Sequence, residues 1–138
     1  MITIRKQEIV KLEDVLHLYQ AVGWTNYTHQ PEMLEQALSH SLAIYVVLDD
    51  DTVVGLIRLV GDGFSSVFVQ DLIVLPSYQR QGIGGSLMKE ALEDFKETYQ
   101  VQLATEQTEK NVGFYRSMGF ETLSTYDCTG MIWVNREK

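Results

Sequence analysis

Cysteine is nearly missing from this chain. The single one, Cys128, rules out an intrachain disulfide and fits a reducing, cytoplasmic setting. No grouping of His, Cys and carboxylates has metal-ligand spacing, so no metal is expected. Long apolar runs are missing too. None approaches the roughly 20 residues that span a membrane, and the opening MITIRKQEIV has no apolar signal core. Only two prolines are present, and no linker, repeat or low-complexity tract divides the chain. Basic residues number 11 against 19 acidic ones, and the net charge of −8 argues against nucleic acid as a partner. That charge suits a cationic small molecule or a basic peptide. It equally suits solubility alone.

What is present reads as a globular protein. The chain has 138 residues, 45% of them apolar, which fits one domain over 1–138 with one core. It is organised around SVFVQDLIVLPSYQRQGIGGSL, residues 66–87. An apolar strand runs to Pro76, a glycine-rich turn follows, and an amphipathic helix begins. The first turn of a helix has backbone N–H groups without intrahelical partners, at the positive end of the helix dipole. Glycines let an anion approach that backbone. The turn therefore reads as a phosphate or pyrophosphate cradle. It is not a Walker loop, because no Lys follows the glycines. It is not a dinucleotide fingerprint, because Leu87 stands where the third glycine belongs.

In chain order, residues 2–5 read as a strand and 11–22 as a helix with Leu12, Val15, Leu16, Tyr19 and Val22 on one face. Residues 24–29 read as an aromatic and polar loop, and Pro31 opens a second helix carrying Leu34, Ala37 and Leu38. Residues 43–48 and 53–60 read as a hairpin around Asp49-Asp50-Asp51. The strand at 66–74, a helix from 83 to about 98 and a strand at 101–105 form a right-handed crossover with parallel strands. A short helix at 109–117 is closed by Gly119. Residues 120–126 and 130–135 read as a closing antiparallel pair. The expected fold is α/β (α+β), a mixed central sheet flanked by helices, in the order β-α-α-β-β-β-α-β-α-β-β.

The stretch Gln79-Arg80-Gln81-Gly82-Ile83-Gly84 resembles motif A of the GCN5-related N-acetyltransferases, Gln/Arg-x-x-Gly-x-Gly/Ala. Leu72-Ile73-Val74-Leu75-Pro76 resembles that family's strand before the cradle, and Phe114-Tyr115-Arg116-Ser117-Met118-Gly119-Phe120 its Phe-Tyr-x-x-x-Gly-Phe segment. The element order matches along the whole chain. The layout of Trp24 to Leu38, with Gly61-Asp62-Gly63-Phe64, is similar to small bacterial and plastid members related to arylalkylamine (serotonin-type) acetyltransferases.

The resemblance implies transfer of an acetyl group from acetyl-CoA to a primary amine, with no metal. It assigns Gln79, Arg80, Gln81, Gly82, Ile83, Gly84 and Gly85 to the pyrophosphate, and the backbone of Ile73 and Val74 to the pantetheine arm. The Val74 N–H would hold the thioester oxygen. Tyr115 would protonate the leaving thiolate. Many members carry an Asn six residues before the Phe; Thr108 stands there, and Asn111 stands where an Ala follows it, so both are cofactor-contact candidates. Asp71, a lone carboxylate in an apolar strand, is either a base with raised pKa or a hydrogen-bond partner for a nearby loop. Glu106 is a weaker base candidate. Trp24, Tyr27 and His29 are candidates for the acceptor side, or Trp24 and Tyr27 only pin their loop to the sheet. The acceptor is expected to be a small amine; a protein terminus or lysine, or a sensing module without turnover, are the alternatives. A monomer or homodimer is expected.

Overall fold

The computed structural model describes residues 1–135. The chain divides into two compact units, Met1–Ala104 and Thr105 onward. No helix among the described residues is long and apolar enough to cross a membrane.

The first unit is a mixed five-stranded sheet with helices packed on it. Strands β1 (Ile2–Gln7), β2 (Ala43–Asp49), β3 (Thr52–Gly61), β4 (Ser66–Val74) and β5 (Gln100–Leu103) lie in sequence order across it. β1 to β4 are antiparallel neighbours, and β5 joins β4 in parallel, as the crossover requires. β2 reads as an apolar run and β3 as one interrupted only by Arg58, because both of their faces are covered. On one face Ile44, Val46 and Leu48 pack with Val15, Leu18 and Tyr19 of α1 (Leu12–Ala21) and with Leu34 and Leu38 of α3 (Pro31–Ser39). On the other lies α4 (Ile83–Asp94), which buries Ile83, Leu87, Met88 and Ala91 and receives a hydrogen bond from Tyr45 at Asp94. Alternation along β2 thus feeds two cores.

Two details differ from the sequence reading. Residues 24–29 are not all loop: Thr25–Thr28 form a one-turn helix, α2. And α4 stops at Asp94 rather than near Thr98, because the Thr98 hydroxyl donates to the Gly63 carbonyl at 2.6 Å and the Tyr99 N–H to the Phe64 carbonyl at 2.9 Å. Those bonds draw the chain to the β3–β4 loop.

The second unit is built on α5 (Glu109–Ser117). Thr108 is its N-cap, its hydroxyl oxygen accepting the Asn111 N–H at 3.1 Å. At the other end Gly119 has φ +98, its N–H reaches the Arg116 carbonyl, and the Phe120 N–H reaches that of Tyr115. These two bonds, with the Phe120 and Tyr115 rings 6.1 Å apart, make a Schellman stop with its apolar contact. The expected closing strands do not form among the described residues. Residues 123–126 take a 3₁₀ turn instead, Asp127 follows at φ +57, and the Cys128 N–H returns to the Leu123 carbonyl. A left-handed residue there interrupts an extended backbone, and two strands without a third are marginal in water.

Candidate functional site

The turn after β4 leaves the start of a helix uncovered. Pro76–Tyr78 is a 3₁₀ turn, Arg80 has φ +65, and Gly82, the N-cap of α4, has φ +78. Left-handed residues at both points let the backbone turn sharply into the helix. Gly82 has no side chain to cap the helix, and no acid stands in its first turn. The N–H groups of Ile83, Gly84 and Gly85 are left without intrahelical partners. By contrast α1, α3 and α5 all carry acids in their first turns. Residues Gln79 to Gly82 are exposed. Arg80 supplies the one charged side chain between Asp71 and Lys89. The Gln79 amide reaches back to the Val74 carbonyl at 3.0 Å, tying the turn to the end of the strand.

β4 continues beyond its parallel partner. β5 pairs with Ser66 to Val69 and goes no further, while β3 stays paired with β4 to Val74. Residues 70–74 therefore have a strand on one side only among the described residues. The Leu75 N–H donates to the Val54 carbonyl at 2.9 Å. Alternation then turns the Val74 N–H away from β3, toward the side where β5 has ended.

Beside this edge lies a buried polar cluster. Arg58 and Asp71 sit opposite each other on β3 and β4, next to a bulge after Arg58. Arg58 Nε donates to Asp71 Oδ2 at 2.7 Å, and the side chains are 4% and 1% exposed. Tyr19 donates to the same oxygen at 2.8 Å, and Tyr27 donates to Asp71 Oδ1 at 3.1 Å. Arg58 also reaches the Tyr27 hydroxyl and Ser41, each at 3.3 Å. Burial first, then the Asp71 charge, raises the pKa of Tyr19, and burial also raises that of Tyr27. Burial works to lower that of Arg58, but the Asp71 carboxylate outweighs it. Both Asp71 oxygens are engaged, one of them by the phenol that α2 brings in. The Trp24 and Tyr27 rings lie 6.1 and 5.2 Å from that of Tyr19 on α1, and the Tyr27 hydroxyl ties α2 to β4 at Asp71. His29 is exposed.

In the second unit, Tyr115 is half-buried against Phe114, its ring 5.0 Å away, and Phe120. Burial raises its pKa, so the phenol stays protonated at neutral pH. Thr108, Val112, Gly113 and Arg116 line an open groove along α5. Asn111 is half-buried, and Glu106 is exposed.

Comparison with known proteins decides the family. The acetyltransferase (GNAT) domain matches residues 40–122, which hold β2 to β5, the cradle and α5. The chain belongs to the GNAT acetyltransferases. It is an acyltransferase by that membership, and its fold is the GNAT fold. A GNAT family acetyltransferase from Streptococcus pneumoniae TIGR4 is 87% identical, with 99% of each chain covered and a TM-score of 0.91. The chloroplastic GCN5-related N-acetyltransferase 1 of Arabidopsis thaliana is 28% identical over 137 residues, covering 97% of this chain. The chloroplastic serotonin N-acetyltransferase 2 of Oryza sativa subsp. japonica is 33% identical over 97 residues, 66% of this chain. The chain spans 68% of the Arabidopsis protein and 48% of the rice one.

Within this GNAT chain, Asp71, Ile73, Val74 and Gln79 to Gly85 fall on one continuous path from β4 into α4, and Tyr27 is tied to it through Asp71. Sequence reasoning missed Arg58, Tyr19 and Ser41. A signal for Arg58 existed: it is the one charge inside VVGLIRLV, residues 53–60, as Asp71 is inside the next strand. Two lone opposite charges on neighbouring apolar strands call for each other.

Proposed function

We propose that this GNAT acetyltransferase moves an acetyl group from acetyl-CoA directly to the primary amine of a small molecule, within one domain spanning 1–138. The observation that supports it best is the open edge of β4, residues 70–74, running into an uncapped helix start. The helix-start amides of Ile83, Gly84 and Gly85, with Gln79, Arg80, Gln81 and Gly82, take the pyrophosphate. The pantetheine amides pair with the free edge at Ile73 and Val74 as an added strand does. The Val74 N–H receives the thioester oxygen as it gains charge. Thr108 and Asn111 serve the same arm.

The amine nitrogen attacks the thioester carbon, the C–N bond forms and the C–S bond breaks. The nitrogen gives up a proton, and the thiolate takes one from Tyr115. A protonated amine, with a pKa near about 10.4, is not a nucleophile, so a proton acceptor is needed. Asp71 enters this scheme through Tyr27: its oxygens are engaged, and a proton from the acceptor reaches it by way of that phenol. Trp24, Tyr27 and His29 border the acceptor. One relative is named a serotonin N-acetyltransferase, and arylalkylamines are therefore the first acceptors to try. The lone Cys128 supports a cytoplasmic setting.

The test is thiol release from acetyl-CoA across arylalkylamines, polyamines, amino sugars, amino acids and short peptides. Strong release with one small-amine class supports the proposal and names the acceptor. Release with peptides alone moves the acceptor to proteins. No release from a protein that binds acetyl-CoA makes it a sensing module.

A further inference from the structure

The residues that carry β4 into α4 are not held by their own backbone. The N–H groups of Arg80, Gln81 and Gly82 make no backbone hydrogen bond among the described residues. Arg80 and Gly82 both take positive φ. A left-handed non-glycine residue persists only where its surroundings impose it. Side chains just before the turn do so. Gln79 reaches back to the Val74 carbonyl. Tyr78, the last residue of the 3₁₀ turn Pro76–Tyr78, donates its hydroxyl to Asp49 Oδ2 at 2.5 Å.

The Tyr78 tether reaches further across the sheet. Asp49 is the last residue of β2, and β3 lies between β2 and β4. The phenol therefore ties the turn past β3 to the end of β2. Backbone bonds lead up to it: the Tyr78 N–H donates to the Leu75 carbonyl at 2.8 Å, and the Leu75 N–H to that of Val54. The Tyr78 ring is half-buried and rigid, with few torsions to fix. The carboxylate is held as well, since Asp49 Oδ1 accepts from the Met1 amino group at 3.3 Å. The hydroxyl bond is the first cause both of the lowered Asp49 carboxyl and of the raised Tyr78 phenol, as in a charge-assisted bond.

We infer that the Tyr78–Asp49 bond fixes the backbone entering Gln79 to Gly85 and thereby sets the affinity of that turn for the pyrophosphate of acetyl-CoA. The inference rests on the reading of this turn as the acetyl-CoA site. Tyr78 and Asp49 are positioning residues in it, acting through the amides that follow them. Amides already in place when the anion arrives need no ordering, and the saved cost appears as affinity.

The experiment is calorimetric titration of acetyl-CoA into the unmodified protein, Tyr78→Phe, Asp49→Ala, their double variant and Asp49→Asn. Far-ultraviolet spectra and thermal unfolding of the ligand-free proteins accompany it. Tyr78→Phe and Asp49→Ala are each expected to bind about tenfold more weakly. The double variant is expected to bind no more weakly than either, because one bond is lost in all three. Asp49→Asn keeps an oxygen for the phenol and is expected to restore most of the affinity. Unchanged affinity in Tyr78→Phe overturns the inference, and a lowered unfolding midpoint then makes the bond a matter of stability alone. Losses that multiply to about a hundredfold in the double variant overturn it too, since the two side chains then act separately. A loss in Asp49→Asn as large as in Asp49→Ala assigns the effect to the charge and overturns the role of the bond. Absence of binding to the unmodified protein is a different result: it overturns the acetyl-CoA reading of the turn, and the inference with it.

Discussion

Arg58 and Asp71 face each other across β3 and β4, Nε to Oδ2 at 2.7 Å, in a sheet otherwise buried as hydrocarbon. A pair this enclosed gains little over a hydrophobic pair but is costly to break, since the survivor keeps an uncompensated charge. Arg58→Met is expected to lose about 3–5 kcal/mol of stability. The double variant Arg58→Met, Asp71→Leu is expected to lose clearly less than the sum of the two single losses. Urea unfolding of the four proteins measures this. A loss below about 1 kcal/mol for Arg58→Met, as for an exposed pair, would contradict the enclosed geometry.

Thr108 offers a separation of roles. As the N-cap of α5 its replacement by Ala is expected to cost about 1 kcal/mol, and Thr108→Asp to restore most of it. The check is thermal unfolding of the ligand-free protein. Unchanged stability in Thr108→Ala would mean that the bond to the Asn111 N–H carries no weight.

Tyr115→Phe removes a hydroxyl that makes no hydrogen bond among the described residues. Stability is expected to stay within about 0.5 kcal/mol, while kcat falls by roughly 10²–10⁴ with the KM for acetyl-CoA little changed. Steady-state kinetics on the amine found by thiol release gives the answer. Full kcat in the variant removes Tyr115 from the proton transfer.

Stability should vary with pH in a defined way. Tyr19, Tyr27, Tyr45 and Tyr115 have pKa values raised above the ordinary 10.0, chiefly by burial. Their folded values lie above their unfolded ones, so their contribution is complete below about pH 10 and fades as pH rises through the raised values. Asp49, Asp62 and Glu121 are lowered, first by the hydroxyls of Tyr78 and Ser65 and by Arg116 respectively. Theirs is present above the ordinary carboxylate range and is lost as pH falls below it. Urea midpoints are expected to be level from about pH 5 to about pH 8, above which the raised Met1 amino group beside Asp50 and Asp49 begins to lose its contribution, and to drop on both sides. A steady rise or fall across that window would contradict these assignments.

Strongly patterned elements were legible in the sequence. β4 and α5 fall on the expected residues, because Pro76 and the Schellman glycine mark their ends. The turn after β4 was legible for the same reason: Gly82 is needed where φ is positive. The closing strands were misread because apolar composition at 120–135 does not reveal the 3₁₀ turn at Leu123–Tyr126. The end of β5 pairing at Val69 was invisible, since register is a property of two strands and not of either sequence. Asp71 was legible as an oddity, with partnership to a nearby loop as one of its two readings, but its partners were not legible. Its role depends on Arg58, Tyr19 and Tyr27, which are 13, 52 and 44 residues away along the chain.

The most direct test is calorimetric titration of acetyl-CoA into the unmodified protein and into Gly82→Ala. Nothing lies within 4 Å of the added methyl, so the variant suffers only the strain of φ +78, about 1–2 kcal/mol, and still folds. Relaxation of that strain turns the backbone away from φ +78 and displaces the amides that follow it. One site per chain is expected in the unmodified protein, with affinity at least tenfold weaker in the variant, while urea unfolding shows both folded. Equal affinity in the two proteins, or no binding to the unmodified one, would contradict the assignment of the β4–α4 turn to acetyl-CoA.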